Sequence, residues 1–330
     1  LQIPPFQPFI RNAHLLTILG NFWRRPVTGT VYPVVRRLYE TEPGVRVAVD
    51  EQRPPQPRAQ AILVHGLEGS SESGYLRSLA RDLLEADVAV HRLNMRSCGG
   101  TEHLAPSNYH AGQTSDTRFV LETLAQEGLP VFLVGFSLGG NMSLKLAGEL
   151  GDAGLLTGVC AVSTPIDLSA CADRLQHPSN RLYQERFLLA LKARIRRRHA
   201  QQPDLYDVRA LKQVRSIRDF DDCYTAKLFG FGTAENYFRT QSSQQFLERI
   251  RVPALLIQAK DDPMIPFEVY GHPGIARNPL IRLVATEHGG HVGFIARHNP
   301  RFWTDPLITA WVRSILAANA GNKRAAEPVL

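Results

Sequence analysis

The sequence predicts an α/β fold: a mostly parallel central sheet, an antiparallel hairpin at its N-terminal edge, and a helical cap inserted late in the chain. Three observations carry this. Short valine- and leucine-rich runs alternate with amphipathic stretches from residue 59 to about residue 163, the pattern of a parallel sheet with helices on both faces. One run, Val131-Phe132-Leu133-Val134, leads into Gly135-Phe136-Ser137-Leu138-Gly139-Gly140 and then into Asn141 to Ala147, which reads as a helix. Strand, serine, helix is the setting of a nucleophile elbow, G-x-S-x-G. Third, the alternation stops between residues 165 and 249 and then resumes.

At 330 residues, 44% hydrophobic and 21% charged, the composition is that of a globular protein, read as one domain over 1–330. No apolar run approaches the roughly 20 residues of a membrane helix. Leu1-Gln2-Ile3-Pro4-Pro5 has neither the basic start nor the apolar core of a signal peptide. Cys98, Cys160, Cys171 and Cys223 form no CxxC pair and no metal-ligand spacing. Scattered thiols of this kind point to a reducing, cytoplasmic setting. The net charge of +7 is compatible with anionic surfaces, but no nucleic-acid-binding module accompanies it, so nucleic acid is not expected as a partner. No HExxH motif is present and no G-x-G-x-x-G follows the first parallel strand. Neither a metal nor a dinucleotide cofactor is therefore expected.

In chain order, residues 1–30 carry Pro4, Pro5, Pro8 and Pro26 with Phe6, Phe9, Phe22 and Trp23, an arm pinned to the body by its rings. Val31–Tyr39 and Val45–Asp50 read as two strands about a Pro43-Gly44 turn. Ala59–Val64 is a buried strand ending in His65-Gly66-Leu67-Glu68-Gly69. Gly74–Ala86 has one apolar helix face, and Val88–Leu93 is the next strand. A loop, Asn94–Ala111, holds Arg96, Cys98, His103 and His110. Ser115-Asp116 can cap a helix running to about Gln126, and Thr157–Ser163 is the strand after the elbow helix.

Within the 165–249 insertion, Leu182–Arg198, Val208–Ser216 and Ser242–Arg249 read as helical, together capping the sheet. Tyr183, Phe187, Leu191 and Ile195 make one apolar stripe; Arg186, Lys192, Arg194, Arg196, Arg197 and Arg198 fall on the other faces. Those arginines read as a solvated face, with peripheral contact to anionic lipid through helix 182–198 as the sharper alternative. Ala254–Gln258 and Ile281–Ala285 are the last strands, and Asp305-Pro306 opens a final helix with Leu307, Ile308, Trp311, Val312, Ile315 and Leu316 on one face. The tail 322–330 is polar and predicted to fray.

A serine hydroxyl needs a base, and the base needs an orienting acid. After Ser137 the candidates for the acid are Asp167, Asp261 and Asp262, each following a predicted strand. Asp262 is favoured, because Asp262-Pro263-Met264-Ile265-Pro266 turns sharply back across the strand ends. Asp261 braces that turn, and Asp167 looks like a helix start. For the base, His288, His291 and His298 are weighed; His291 is favoured because Gly289-Gly290 frees its loop. Oxyanion amides are expected from Leu138, next to the nucleophile, and from Leu67 in the loop after the His65 strand. The His65 side chain reads as a loop brace.

On these residues the sequence resembles the YheT-like (AB hydrolase 4) branch of the α/β-hydrolases. The matching segments are Arg11-Asn12-Ala13-His14-Leu15-Leu16-Thr17, His65 to Ser71, Asn108-Tyr109-His110-Ala111-Gly112, the elbow through Asn141, Phe220-Asp221-Asp222, Asp261-Asp262-Pro263 and His288 to Phe294. The resemblance implies an α/β-hydrolase fold, carboxylesterase activity on small ester or lipid substrates, and a triad of Ser137, Asp262 and His291. The branch includes membrane-associated lipases and phospholipases, which sets a lipid-directed enzyme beside the soluble esterase. A hydrolase fold kept only as a binding protein is the rival from another class. One departure stands out: Arg96-Ser97-Cys98 has a serine where the branch is expected to have glycine, in a loop expected to border the pocket.

Overall fold

The computed structural model describes residues 2–25 and 32–326, the side chains of 321–326 excepted. Leu1, Pro26 and Val31, assigned above to the arm and first strand, and residues 327–330 of the tail lie outside the described residues.

Eight strands form one sheet in the order β1-β2-β4-β3-β5-β6-β7-β8. The strands are β1 (Val35–Glu42), β2 (Val45–Gln52), β3 (Ala59–Val64), β4 (Val88–Leu93), β5 (Val131–Phe136), β6 (Gly158–Val162), β7 (Ala254–Ala259) and β8 (Ile281–Thr286). The hairpin β1–β2 is antiparallel, and β2 joins the sheet antiparallel to β4; every pair from β4 to β8 is parallel. Strands β3 to β7 are buried along their whole length, as a sheet covered on both faces requires. Their side chains alternate between two cores. Ile62, Val64 and Leu133 pack with Leu144 on one face, and Leu63, Phe132 and Val134 pack with Leu79 and Trp311 on the other.

The helices that matter for the site are α1 (Ala13–Phe22), α2 (Gly74–Leu84), α3 (Ser115–Ala125), α4 (Leu138–Leu150), α5 (Leu168–Leu175) and α6 (Arg181–Gln201). Helix α1 lies within the arm, where the sequence reading assigned no helix. Asn12 caps it, its side chain accepting from the Leu15 N–H at 3.0 Å. At α3 the capping assignment also changes. Thr114 holds the N-cap position, and Asp116 instead receives both Nε and Nη2 of Arg96 at 2.7 Å.

Between β6 and β7 the described residues form only helices and turns. Four α-helices here were not singled out from the sequence: α5 and the helices Ile217–Phe220, Ala226–Leu228 and Ala234–Gln241. Val208 and Ser243 begin short 3-10 segments rather than α-helices. Tyr183, Leu191 and Ile195 are buried as the stripe predicts. The arginines are not all on solvated faces, however: Arg194 is 3% exposed and Arg198 is fully buried. The reason lies in the 94–111 loop, whose carbonyls need donors. Arg198 donates to the carbonyls of Glu102 and Ser107, both at 2.7 Å, and to Asn108 Oδ1 at 3.0 Å. It also binds the Ser97 hydroxyl. Ser97 has φ of +65°, a region that favours glycine; here a serine occupies it, and its hydroxyl serves the arginine.

The final helix runs Thr304–Ala326, through the start of the tail expected to fray. No described helix is long and apolar enough to cross a membrane.

Candidate active site

The site begins at the junction of β5 and α4. Ser137 sits at φ +51°, ψ −121°, a strained conformation for a residue with a side chain. Its N–H is held by the Val162 carbonyl at 2.8 Å. Neighbouring backbone comes too close for a side chain at either flanking glycine. A Cβ on Gly135 would meet the Gly139 carbonyl, and one on Gly139 the carbonyls of Val64 and His65.

Two later strand ends meet Ser137. Asp262, after β7, is 3% exposed. Its Oδ1 accepts the N–H groups of Met264 (2.9 Å) and Ile265 (3.1 Å), and its Oδ2 accepts Gln258 Nε2 at 3.2 Å. The turn read from Asp262-Pro263 therefore clamps the carboxylate with its own amides. His291, after β8, places Nδ1 2.9 Å from Asp262 Oδ2 and Nε2 2.9 Å from Ser137 Oγ. An acceptor carboxylate at Nδ1 puts the proton there and leaves Nε2 free to accept from the serine.

The other candidates fall elsewhere. Asp261 Oδ2 lies 3.0 Å from His288 Nδ1, and its Oδ1 accepts the Gly290 N–H at 3.0 Å. It thus braces the histidine loop rather than the Asp262 turn. Asp167 caps α5, accepting from the Ala170 N–H at 3.1 Å. His298 is exposed in a bend. His65 is buried, donating from Nδ1 to the Gly66 carbonyl (2.7 Å) and accepting the Met95 N–H at Nε2 (3.2 Å). Burial pushes its pKa down to about 4, so it is a neutral brace.

In the turn after β3, the N–H of Gly66 donates to the Tyr75 hydroxyl, that of Glu68 to the Tyr109 hydroxyl and that of Gly69 to the Gly66 carbonyl, each at 3.0 Å. Among the described residues no hydrogen bond occupies the N–H of Leu67 or of Leu138, and both residues border the same cavity as Ser137.

Three contributions were not legible in the sequence. Helix α1 supports the histidine loop: the Thr17 hydroxyl accepts the His291 N–H at 2.8 Å. Gly20 packs so tightly on Gly293 that a Cβ would lie 2.6 Å from its Cα. The arm is thus part of the site and not only packing. Second, Arg194 of α6 reaches the turn after β3, ion-pairing with Glu68 and donating to the Tyr109 hydroxyl at 3.3 Å. Third, Asp221 of Phe220-Asp221-Asp222 lines the cavity. The motif segments flagged two of these regions without revealing their partners.

Two cavities converge on Ser137 and His291. One is walled mainly by apolar side chains, among them Leu138, Leu168, Phe187, Phe238 and Met264. The other includes Asn21, Glu72, Ser73 and Arg186. Residues 108–111 of the 94–111 loop border the first cavity, but Arg96, Ser97 and Cys98 border neither. The serine-for-glycine departure therefore acts on loop packing and does not touch the pocket.

Comparison with known proteins fits this geometry. The family model described as alpha/beta hydrolase fold matches residues 62–297. The candidate esterase YheT of Escherichia coli (strain K12) is 35% identical over 94% of this chain and 92% of its own length. A monoacylglycerol lipase of Saccharomyces cerevisiae is 30% identical over 74% of this chain and 57% of its own. Among solved structures, the Pyrococcus furiosus esterase Pf2001 superposes with a TM-score of 0.57 at 16% identity, covering 94% of this chain and 98% of that one, a likeness of fold. The chain belongs to the alpha/beta hydrolase fold family, in its YheT-like branch of esterase- and lipase-type hydrolases.

Proposed function

We propose that the protein is a serine carboxylesterase working through an acyl-enzyme on Ser137. The observation that carries this reading is the unbroken chain Ser137–His291–Asp262, with both links at 2.9 Å. Ser137 Oγ attacks the ester carbonyl while His291 Nε2 takes its proton. The Leu67 and Leu138 amides receive the oxyanion. His291 then protonates the departing alcohol, and Asp262 stabilises the imidazolium. Water, activated by the same histidine, releases the acid. A fluorophosphonate probe tests this: it should label Ser137, and Ser137→Ala should remove both labelling and hydrolysis of p-nitrophenyl esters. Absence of an adduct on wild type would favour the non-catalytic binding protein instead.

The two cavities support an amphipathic ester, its acyl chain in the apolar space and its alcohol toward Arg186 and Asn21. In this reading residues 165–249 act as the cap that closes the acyl side. The four cysteines are free thiols, which supports a cytoplasmic setting.

A second reading, a lipase or phospholipase acting at a membrane surface, is favoured by one specific feature. Leu182 and Leu189 of α6 are 66% and 69% exposed, and neighbouring Phe22 of α1 is 69% exposed. Arg186 lies between the two helices, 5.5 Å from the Phe22 ring centre. Exposed apolar side chains beside a cation suit an anionic lipid surface. Flotation with vesicles of phosphatidylcholine, with and without phosphatidylglycerol, separates the readings. Retention on anionic vesicles that Leu182→Ser/Leu189→Ser abolishes supports the surface enzyme; no retention supports the soluble one.

A further inference from the structure

The apolar cavity contains a carboxyl group that the proposed chemistry does not use. Asp221 lines it, on a single turn of π-helix, Asp221–Thr225, a bulge that often marks a functional position. Its neighbour Asp222 has an evident structural task, accepting the Ala234 N–H at 2.9 Å. Asp221 has only half of one. Its Oδ1 accepts from the Thr225 hydroxyl at 2.6 Å, and among the described residues no hydrogen bond reaches Oδ2.

The neighbouring tyrosine hydroxyls have partners of their own, and none of those bonds reaches Asp221. The Tyr224 hydroxyl donates to the Asp207 carbonyl and that of Tyr237 accepts from the Ala111 N–H, both at 2.7 Å. The Tyr109 hydroxyl accepts from Glu68. Burial raises the Asp221 pKa to about 7, so near neutrality a large share of it is the neutral acid, able both to donate and to accept. A plain alkyl chain laid along this wall leaves that group unpaired after expelling its water, which disfavours binding. A chain with an oxygen function at the right depth satisfies it.

We propose that Asp221 is a specificity residue that reads a hydroxyl on the acyl chain, so that the preferred substrates are esters of hydroxy acids rather than of plain alkanoic acids. This rests on the reading that the apolar cavity receives the acyl group of a Ser137 ester. A site built to hydrogen-bond a substrate hydroxyl discriminates strongly against the analogue lacking it.

The test is kcat/KM on p-nitrophenyl esters of one acyl length, either plain, singly hydroxylated at successive carbons, or bearing a terminal ammonium. Wild type should prefer one hydroxylated isomer over the plain ester by about tenfold or more. Asp221→Leu should lower that isomer's kcat/KM and raise the plain ester's, and Asp221→Asn should keep the wild-type preference. Three results overturn the proposal: no hydroxylated isomer preferred by wild type, a preference unchanged in Asp221→Leu, or the ammonium ester as best substrate. The first and third need only wild-type protein, so they stand if the leucine variant does not fold. Hydrolysis that survives Ser137→Ala would instead contradict the acyl-enzyme reading itself.

Discussion

The backbone N–H of His291 donates to the Thr17 hydroxyl at 2.8 Å, across 274 residues of chain. Thr17 is 6% exposed, and its own proton goes to the Ala13 carbonyl at 2.7 Å. The helix of the N-terminal arm thereby sets the height of the imidazole over Ser137. Thr17→Val keeps the shape and removes the acceptor. It should lower kcat about tenfold with little change in KM, because a small displacement of a base costs turnover more than binding; Thr17→Ser should restore it. Steady-state kinetics on a soluble ester checks this.

Arg194 links the helical insertion to the proposed oxyanion turn through Glu68 and Tyr109. Removing one member of a buried pair strands the other. Arg194→Met should cost about 3 kcal/mol of stability, read by urea denaturation. Adding Glu68→Gln should recover part of that loss, since the neutral amide no longer needs a cation.

The parts of the molecule legible in the sequence are those governed by local chemistry. Largely apolar runs marked β3 to β7, because strands buried on both faces must be mostly apolar; buried Gln60, His91, Arg92 and Gln258 are the polar exceptions. Gly135 and Gly139 marked the elbow, because no side chain fits there. Asp262 was singled out by the turn after it, and the same turn supplies two of its donors. Long-range contacts were not legible. Nothing local in Thr17 indicates that its hydroxyl meets His291, and Arg194 and Arg198 read as solvated because their partners lie about 90 residues or more away in sequence. Helix α1 was hidden by the prolines before it, and α5 by brevity, though its cap, Asp167, was read as a helix start.

Gly139 tests the elbow directly. In Gly139→Ala the added carbon meets the backbone carbonyls of Val64 and His65, which cannot rotate away as a side chain would. The variant should lose about 2 kcal/mol or more or fail to accumulate as soluble protein, and any folded fraction should not react with a fluorophosphonate. Thermal denaturation with labelling checks both.

Stability should fall in mild acid because of His65. Its ordinary pKa of 6.5 is lowered to about 4 by burial. Between these values the unfolded chain holds the extra proton and the folded chain does not, so stability rises with pH across this window and is lost as pH falls through it. The full contribution is roughly 3 kcal/mol. His110, lowered by burial to about 3, acts in the same direction. Denaturant titrations from about pH 4 to pH 7 should show a shallower acid limb for His65→Gln than for wild type.

The proposed mechanism depends on Ser137 as the nucleophile. The most direct measurement is peptide mass spectrometry of the wild-type protein after a fluorophosphonate, paired with ester hydrolysis by wild type and Ser137→Ala. A single adduct on Ser137 and a loss of kcat/KM of roughly 10⁴-fold or more in the variant are expected. Full activity in Ser137→Ala, or an adduct on another residue with Ser137 unmodified, would contradict the proposed mechanism.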